Sequence, residues 1–135
     1  MKLGLNFVRV APSDMPALAA HAEGLGFESV FVPDHVVFPV HFDSRYPGTA
    51  DGRFPYPRET PLYDPLVLLA LIGQATSSIR LGTAVYLAAL RHPIAIARQL
   101  ATVEHVVGHR VLFGVGAGWL TEEFDALGIS PRSRF

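Results

Sequence analysis

Apolar positions along the chain fall into two alternating patterns. Leu3–Val8 is an apolar run of strand length. Ser13 then offers an N-cap side chain, and Met15, Leu18, Ala19, Ala22 and Leu25 follow at helical spacing until Gly24 and Gly26 stop the helix. Ser29–Val32 is β-branched and aromatic and reads as a second strand, closed by Pro33. Asp64-Pro65 predicts a helix start, with an acceptor at the N-cap and proline at the first helical position; that helix runs to about Thr76. Ile79–Val85 is a third strand. Pro93 opens a third helix, with Ile94, Ala97, Leu100, Ala101 and Val107 apolar and Gly108 at its end. Val111–Val115 is a fourth strand. Thr121 caps a fourth helix, which Gly128 ends; Glu122 and Glu123 lie in its first turn, where the helix dipole favours acids.

The predicted order is therefore β-α-β-α-β-α-β-α, which gives parallel strands joined by right-handed crossovers. Two closures fit. One is an open doubly wound sheet; the other is a (β/α)8 barrel, which needs about 250 residues and would here show only about four of its β/α units. The stretch Val36 to Thr60 breaks the alternation. It carries Pro39, Pro47, Pro55 and Pro57 together with Phe38, Phe42, Tyr46, Phe54 and Tyr56. A loop this long in a compact domain is a lid or binding loop, or else disordered, and the aromatics argue against disorder.

Composition narrows the class. The 135 residues suffice for one domain with a core, and 50% hydrophobic against 17% charged residues suits strands buried on both faces. A net charge of −1 with scattered acids and bases marks no nucleic-acid or membrane-surface footprint. There is no cysteine, and hence no disulfide framework or thiolate metal site. Met1–Val10 is too short an apolar run for a signal peptide, and no stretch has the length of a membrane span. A cytoplasmic location is expected.

Three places carry candidate chemistry. Asp34-His35 directly follows the second strand, and residues at C-terminal strand ends of a parallel sheet line the ligand crevice. A histidine there can donate a hydrogen bond or act as acid or base; the plainer reading is a loop residue that caps backbone. Arg91-His92-Pro93 follows the third strand. Arg91 is suited to a phosphate or carboxylate, or to solvent, and His92 to a cap. Gly114-Val115-Gly116-Ala117-Gly118-Trp119 ends the fourth strand. A dinucleotide fingerprint would need glycine where Trp119 stands, so a tight strand-to-helix turn is the better reading. The six histidines form no metal-ligand set with the acids, and no metal site is expected.

Five segments together resemble the luciferase-like family of oxidoreductases that use coenzyme F420 or flavin. They are Phe31 to Pro39, Leu62 to Ala70, Ile79 to Val85 with Arg91 to Pro93, Ala97 to Glu104, and Arg110 to Phe124, in order and with fitting gaps. The resemblance implies that residues 1–135 are the N-terminal half of a (β/α)8 barrel with a deazaflavin (F420) or FMN ring at its C-terminal mouth. It implies His35 as the catalytic residue facing cofactor or substrate. Thr83, Ala84, Val85 and Tyr86 are implied as the ring-supporting segment, with a non-prolyl cis peptide at Ala84-Val85. Gly116 and Ala117 are implied beside the ring. Some F420-using relatives carry a glutamate acid where Trp119 stands here, which leaves the proton donor open. Glu122 and Glu123 are expected to point elsewhere.

The function so implied is hydride transfer between reduced F420, or FMN, and a small organic substrate. An FMN-dependent monooxygenase and a non-catalytic flavin-binding relative are the alternatives, and an open-sheet module for small ligands, with a strand order unlike 1-2-3-4, is a third. A half barrel has open strand edges and an exposed inner face, so a homo-oligomer is expected, and turnover by these residues alone is not.

Overall fold

The computed structural model describes residues 1–57 and 59–134. Arg58, within the long loop, and Phe135 lie outside the described residues. The strands are β1 (Gly4–Asn6), β2 (Ser29–Val32), β3 (Arg80–Thr83) and β4 (Val111–Leu112). The helices are α1 (Met15–Gly24), α2 (Pro65–Gly73), α3 (Pro93–Val106) and α4 (Thr121–Ala126).

The four strands form one parallel sheet in the order β1-β2-β3-β4. A doubly wound sheet reverses its strand order at a switch point. Here the order advances in one direction, so right-handed crossovers carry every connecting helix to the same face. The open doubly wound alternative is therefore overturned, and the winding is that of a barrel. Register shows the two faces directly. Leu5, Val30, Leu81 and Val111 form one row, and the last three are buried beneath the helices. Asn6, Phe31, Gly82 and Leu112 form the row on the opposite face. Gly82 is glycine for a steric reason: a side chain there would run into the Phe31 ring beside it.

The core lies between sheet and helices. Met15, Ala19 and Ala22 of α1, Leu66, Leu69 and Ile72 of α2, and Ile96 and Val103 of α3 pack on the strand row. α2 sits between α1 and α3 and also touches β2 and β3, which buries Leu66, Leu68, Leu69 and Ile72, while Val67 and Leu71 stay exposed.

Two helix starts differ from the expectation. The N-cap of α1 is Asp14, not Ser13, and it makes no side-chain cap bond. The N-cap of α4 is Leu120, and the amide of Thr121 is instead held at 3.1 Å by Ser44 Oγ from the long loop. The other two starts match. Asp64 Oδ1 accepts from Leu66 N at 2.9 Å and Val67 N at 3.1 Å, and His92 Nδ1 accepts from Ile94 N at 3.3 Å. α2 stops at Gly73, short of Thr76, where Arg110 gathers the carbonyls of Gly73 and Thr76, both at 3.0 Å.

β3 also stops early, and its continuation shapes the site. The Ala84-Val85 peptide is cis. Ladder pairing resumes one step further, where Tyr86 bridges to Val115. Tyr86 N donates to Gly114 O at 2.7 Å, and Gly116 N donates to Tyr86 O at 2.9 Å.

Candidate functional site

All four strand C-termini open towards the same end of the sheet, as parallel pairing requires. A cavity of about 230 Å³ lies there, walled by Asn6 after β1, His35 after β2, Ala84 and Val85 after β3, and Trp119 after β4. This is below the roughly 300–1,000 Å³ of whole-ligand pockets, so it accommodates the reacting part of a ligand rather than all of a large cofactor.

The dipeptide Asp34-His35 is locked from both sides. Consecutive extended residues point in opposite directions, and each of these two has its own side-chain partner. The Asp34 side chain is fully buried. It accepts from Leu87 N at 2.8 Å and takes the Arg91 guanidinium in a two-point grip, at 2.6 Å from Nη1 and 2.8 Å from Nη2. Burial pulls the Arg91 pKa down, but the Asp34 carboxylate more than offsets this, and the net direction is upward. The guanidinium also lies 4.4 Å over the Tyr86 ring. Of the partners expected for Arg91, the one found is a carboxylate, and it is supplied by Asp34 of the same chain, not by solvent or a phosphate.

His35 faces the other way. Its Nδ1 is 2.8 Å from Glu123 Oε2, and its side chain is 10% exposed, just enough to border the cavity. Glu123 is fully buried, and its second oxygen accepts the amides of Val36 at 2.6 Å and Val37 at 3.1 Å. Glu122 accepts the amides of Asp43 at 2.8 Å and Ser44 at 3.1 Å. Burial pushes the Glu122 carboxyl up, but hydrogen bonding from the Ser44 side chain and then from the backbone amides, that of Asp43 first, outweighs it and brings it down to about 2. The expectation that Glu122 and Glu123 point elsewhere is overturned: together they fasten residues 35–37 and 43–44 to α4.

That loop is folded as an aromatic lid. Phe54 stacks on Trp119 with ring centroids 5.7 Å apart and planes at 22°. Phe38, Phe42 and Tyr46 meet the same indole at steeper angles. Phe38, Phe54 and Trp119 stand nearly perpendicular to the His35 ring. Over its described residues the loop lines the cavity with Phe38, Tyr46, Phe54 and Tyr56. Arg9, in the left-handed region at φ 61°, brings a cation to the same rim.

The other expected site residues divide. Ala84 and Val85 line the cavity, and Val85 stays 43% exposed, an apolar surface at its wall. Thr83 is buried behind them and donates from Oγ1 to Gly114 O at 2.8 Å. Tyr86 is buried in the core against Phe113 and Arg91. Gly116 lies directly behind Val85: a Cβ on it would meet the Val85 side chain. Ala117 is half-buried and outside the cavity lining. Gly116 thus backs the wall, and Thr83, Tyr86, Gly116 and Ala117 are not among the residues that form it. Glu123 was missed, although topology held a signal for it. A helix that follows a strand starts at the strand's C-terminal end, so its first turn lies at the mouth.

Among the described residues, no group of three or more His, Asp or Glu is placed to hold a metal ion, and no helix is long and apolar enough to cross a membrane.

Comparison with known proteins agrees with this architecture. Residues 7–135 match the family model described as luciferase-like monooxygenase. The chain is 41% identical over 120 residues to an uncharacterized protein of Mycobacterium tuberculosis, covering 88% of this chain and 43% of that one. It is 34% identical over 108 residues to an F420-dependent glucose-6-phosphate dehydrogenase of Nakamurella multipartita, covering 79% of this chain and 27% of the relative. The crystal structure of monooxygenase RslO1 from Streptomyces bottropensis superposes with a TM-score of 0.72 at 28% identity, covering all of this chain and 40% of that one. The chain belongs to the luciferase-like monooxygenase family and spans less than half the length of these relatives. Its four parallel β/α units are of the TIM-barrel type.

Proposed function

We propose that the protein to which these residues belong is an oxidoreductase that transfers hydride between the deazaflavin F420 and a small organic substrate at the cavity beside His35. One observation carries this reading. The exposed apolar Val85, backed by Gly116, lines one cavity with an imidazole and a lid of stacked aromatics at the C-terminal mouth of a parallel sheet. A flat conjugated ring fits such a wall. Glycine at 116 is what allows Val85 to lie as it does, since a Cβ there would displace it.

A bound F420 supplies the ring carbon that gives or takes the hydride; the protein supplies position, shielding and polarity. Val85 and Ala84 would bear the ring face. The lid of Phe38, Tyr46 and Phe54 on Trp119 excludes water from the reacting atoms. His35 places a polar ring nitrogen beside them. F420 is favoured by the identity with an F420-dependent dehydrogenase. The likeness to a monooxygenase supports a second reading, an FMN-dependent monooxygenase. In either case residues 1–135 would serve as the N-terminal half of one barrel domain, in a cytoplasmic homo-oligomer.

Titration of the whole protein with F420 and with FMN, followed by absorbance and fluorescence, tests the choice. Saturable quenching with F420 at micromolar concentration and none with FMN is the expected result. The reverse pattern, with oxygen consumption on reduction, establishes the second reading, and binding of neither defeats both.

A further inference from the structure

The hydrogen bonds of Glu123 come from three consecutive residues. Oε1 accepts the amides of Val36 and Val37, at 2.6 and 3.1 Å, and Oε2 faces His35 Nδ1 at 2.8 Å. Backbone amides only donate, and a carboxylate only accepts. The ring nitrogen that faces Oε2 must then carry a hydrogen. A neutral imidazole has one donor nitrogen and one acceptor, and the bond made by the first decides the role of the second. In the neutral ring Nε2 is therefore the bare nitrogen. No described residue bonds to it, and the rings around it, Phe38, Phe54 and Trp119, stand nearly perpendicular to the imidazole and offer no lone pair to it. The ring borders the cavity, so that lone pair is offered to whatever enters.

We propose that Glu123 is a positioning residue that holds neutral His35 with its hydrogen on Nδ1, so that Nε2 presents a lone pair and the pocket selects a ligand group that offers O–H or N–H. The selection rests on the cavity being the reacting site, as proposed above; the state of the ring does not. The sequence left His35 as donor or proton shuttle. The geometry makes the neutral ring an acceptor.

The variant Glu123→Gln keeps the side-chain shape and reverses the logic. Its single amide oxygen is claimed by the amides of Val36 and Val37, which turns the NH2 towards Nδ1. Nδ1 must then accept, and the hydrogen moves to Nε2.

Long-range proton–nitrogen correlation spectra of histidine-labelled whole protein, at a pH where the ring is neutral, read this state directly. The expected His35 pattern is a pyrrole-like Nδ1 and a pyridine-like Nε2 in the wild type, exchanged in Glu123→Gln. A pyridine-like Nδ1 in the wild type overturns the proposal, and this measurement stands even if the variant does not fold. Phenol and anisole then probe selection, since they share a planar apolar body and differ in the O–H. Phenol should bind the wild type about 3- to 10-fold more tightly than anisole, the worth of one neutral hydrogen bond. Glu123→Gln should abolish that preference. Equal binding of both probes to the wild type overturns the selection, whichever cofactor the protein takes.

Discussion

Asp34 and Arg91 join the end of β2 to the loop before α3 through two hydrogen bonds, 2.6 and 2.8 Å long, across 57 residues of sequence. The pair holds the β3 loop against the β2 end, and with it the wall residue Val85. Removing one partner leaves the other charge buried without compensation. Arg91→Leu should destabilise the protein by about 3 kcal/mol, while the double change with Asp34→Asn should recover part of that loss. Urea unfolding of the three variants measures the coupling, and additive losses would show that the pair is unimportant.

His35 borders the cavity through a ring held by Glu123. Replacing His35 by Ala should lower turnover of the whole enzyme by about 10²- to 10⁴-fold, the usual range for a positioned acid or base. Cofactor affinity should change only a few-fold, because Val85 and Gly116 are untouched. Stopped-flow reduction and equilibrium titration separate the two effects, and unchanged turnover would remove His35 from the chemistry.

The lid should loosen in acid. Glu122 is brought from its ordinary 4.5 to about 2: burial works against ionisation, and the bonds from Ser44 and Asp43 overcome it. A carboxyl depressed by folding contributes its full stabilisation above its unfolded value and loses it as pH falls towards the folded value. The expected window is therefore from about 4.5 down to about 2. Trp119 is the one tryptophan of residues 1–135 and lies against Phe54 and Tyr46 of the loop, so fluorescence of these residues reports the change. Glu122→Gln should flatten the pH dependence of that signal across the window, and an unaltered profile would assign the acid response to another group.

Gly114 approaches the backbone of the neighbouring strand. A Cβ there would strike the Thr83 carbonyl oxygen, and neither backbone can give way easily. Gly114→Ala should cost about 1–3 kcal/mol and disturb the bond from Tyr86 N to Gly114 O that restores pairing after the cis peptide. Thermal unfolding checks the first effect and amide exchange at Tyr86 the second; wild-type stability would mean that the strands separate without penalty.

The chain's own periodicities determined the order of strands and helices, their parallel class and the position of His35 at a strand end. These are local properties: spacing of apolar residues, Pro and Gly at boundaries, and the alternation itself. Five segments in family order pointed to the cis peptide and the lining by Ala84 and Val85. Other matters were decided only by tertiary structure. Ser13 and Thr121 look like caps because a hydroxyl at a helix start is a valid local solution, yet Ser44 reaches Thr121 from 77 residues away. Direction of winding came from the strand order, since both barrel and open sheet share the same alternation. Glu122 and Glu123 were already explained by the helix dipole, so nothing in the local pattern demanded distant partners. Whether an acid in a first turn meets solvent or an imidazole 88 residues earlier depends on how α4 lies against the lid. The site histidine was legible because strand ends are local; the residue that sets its chemistry was not, because hydrogen-bond partners are chosen by packing.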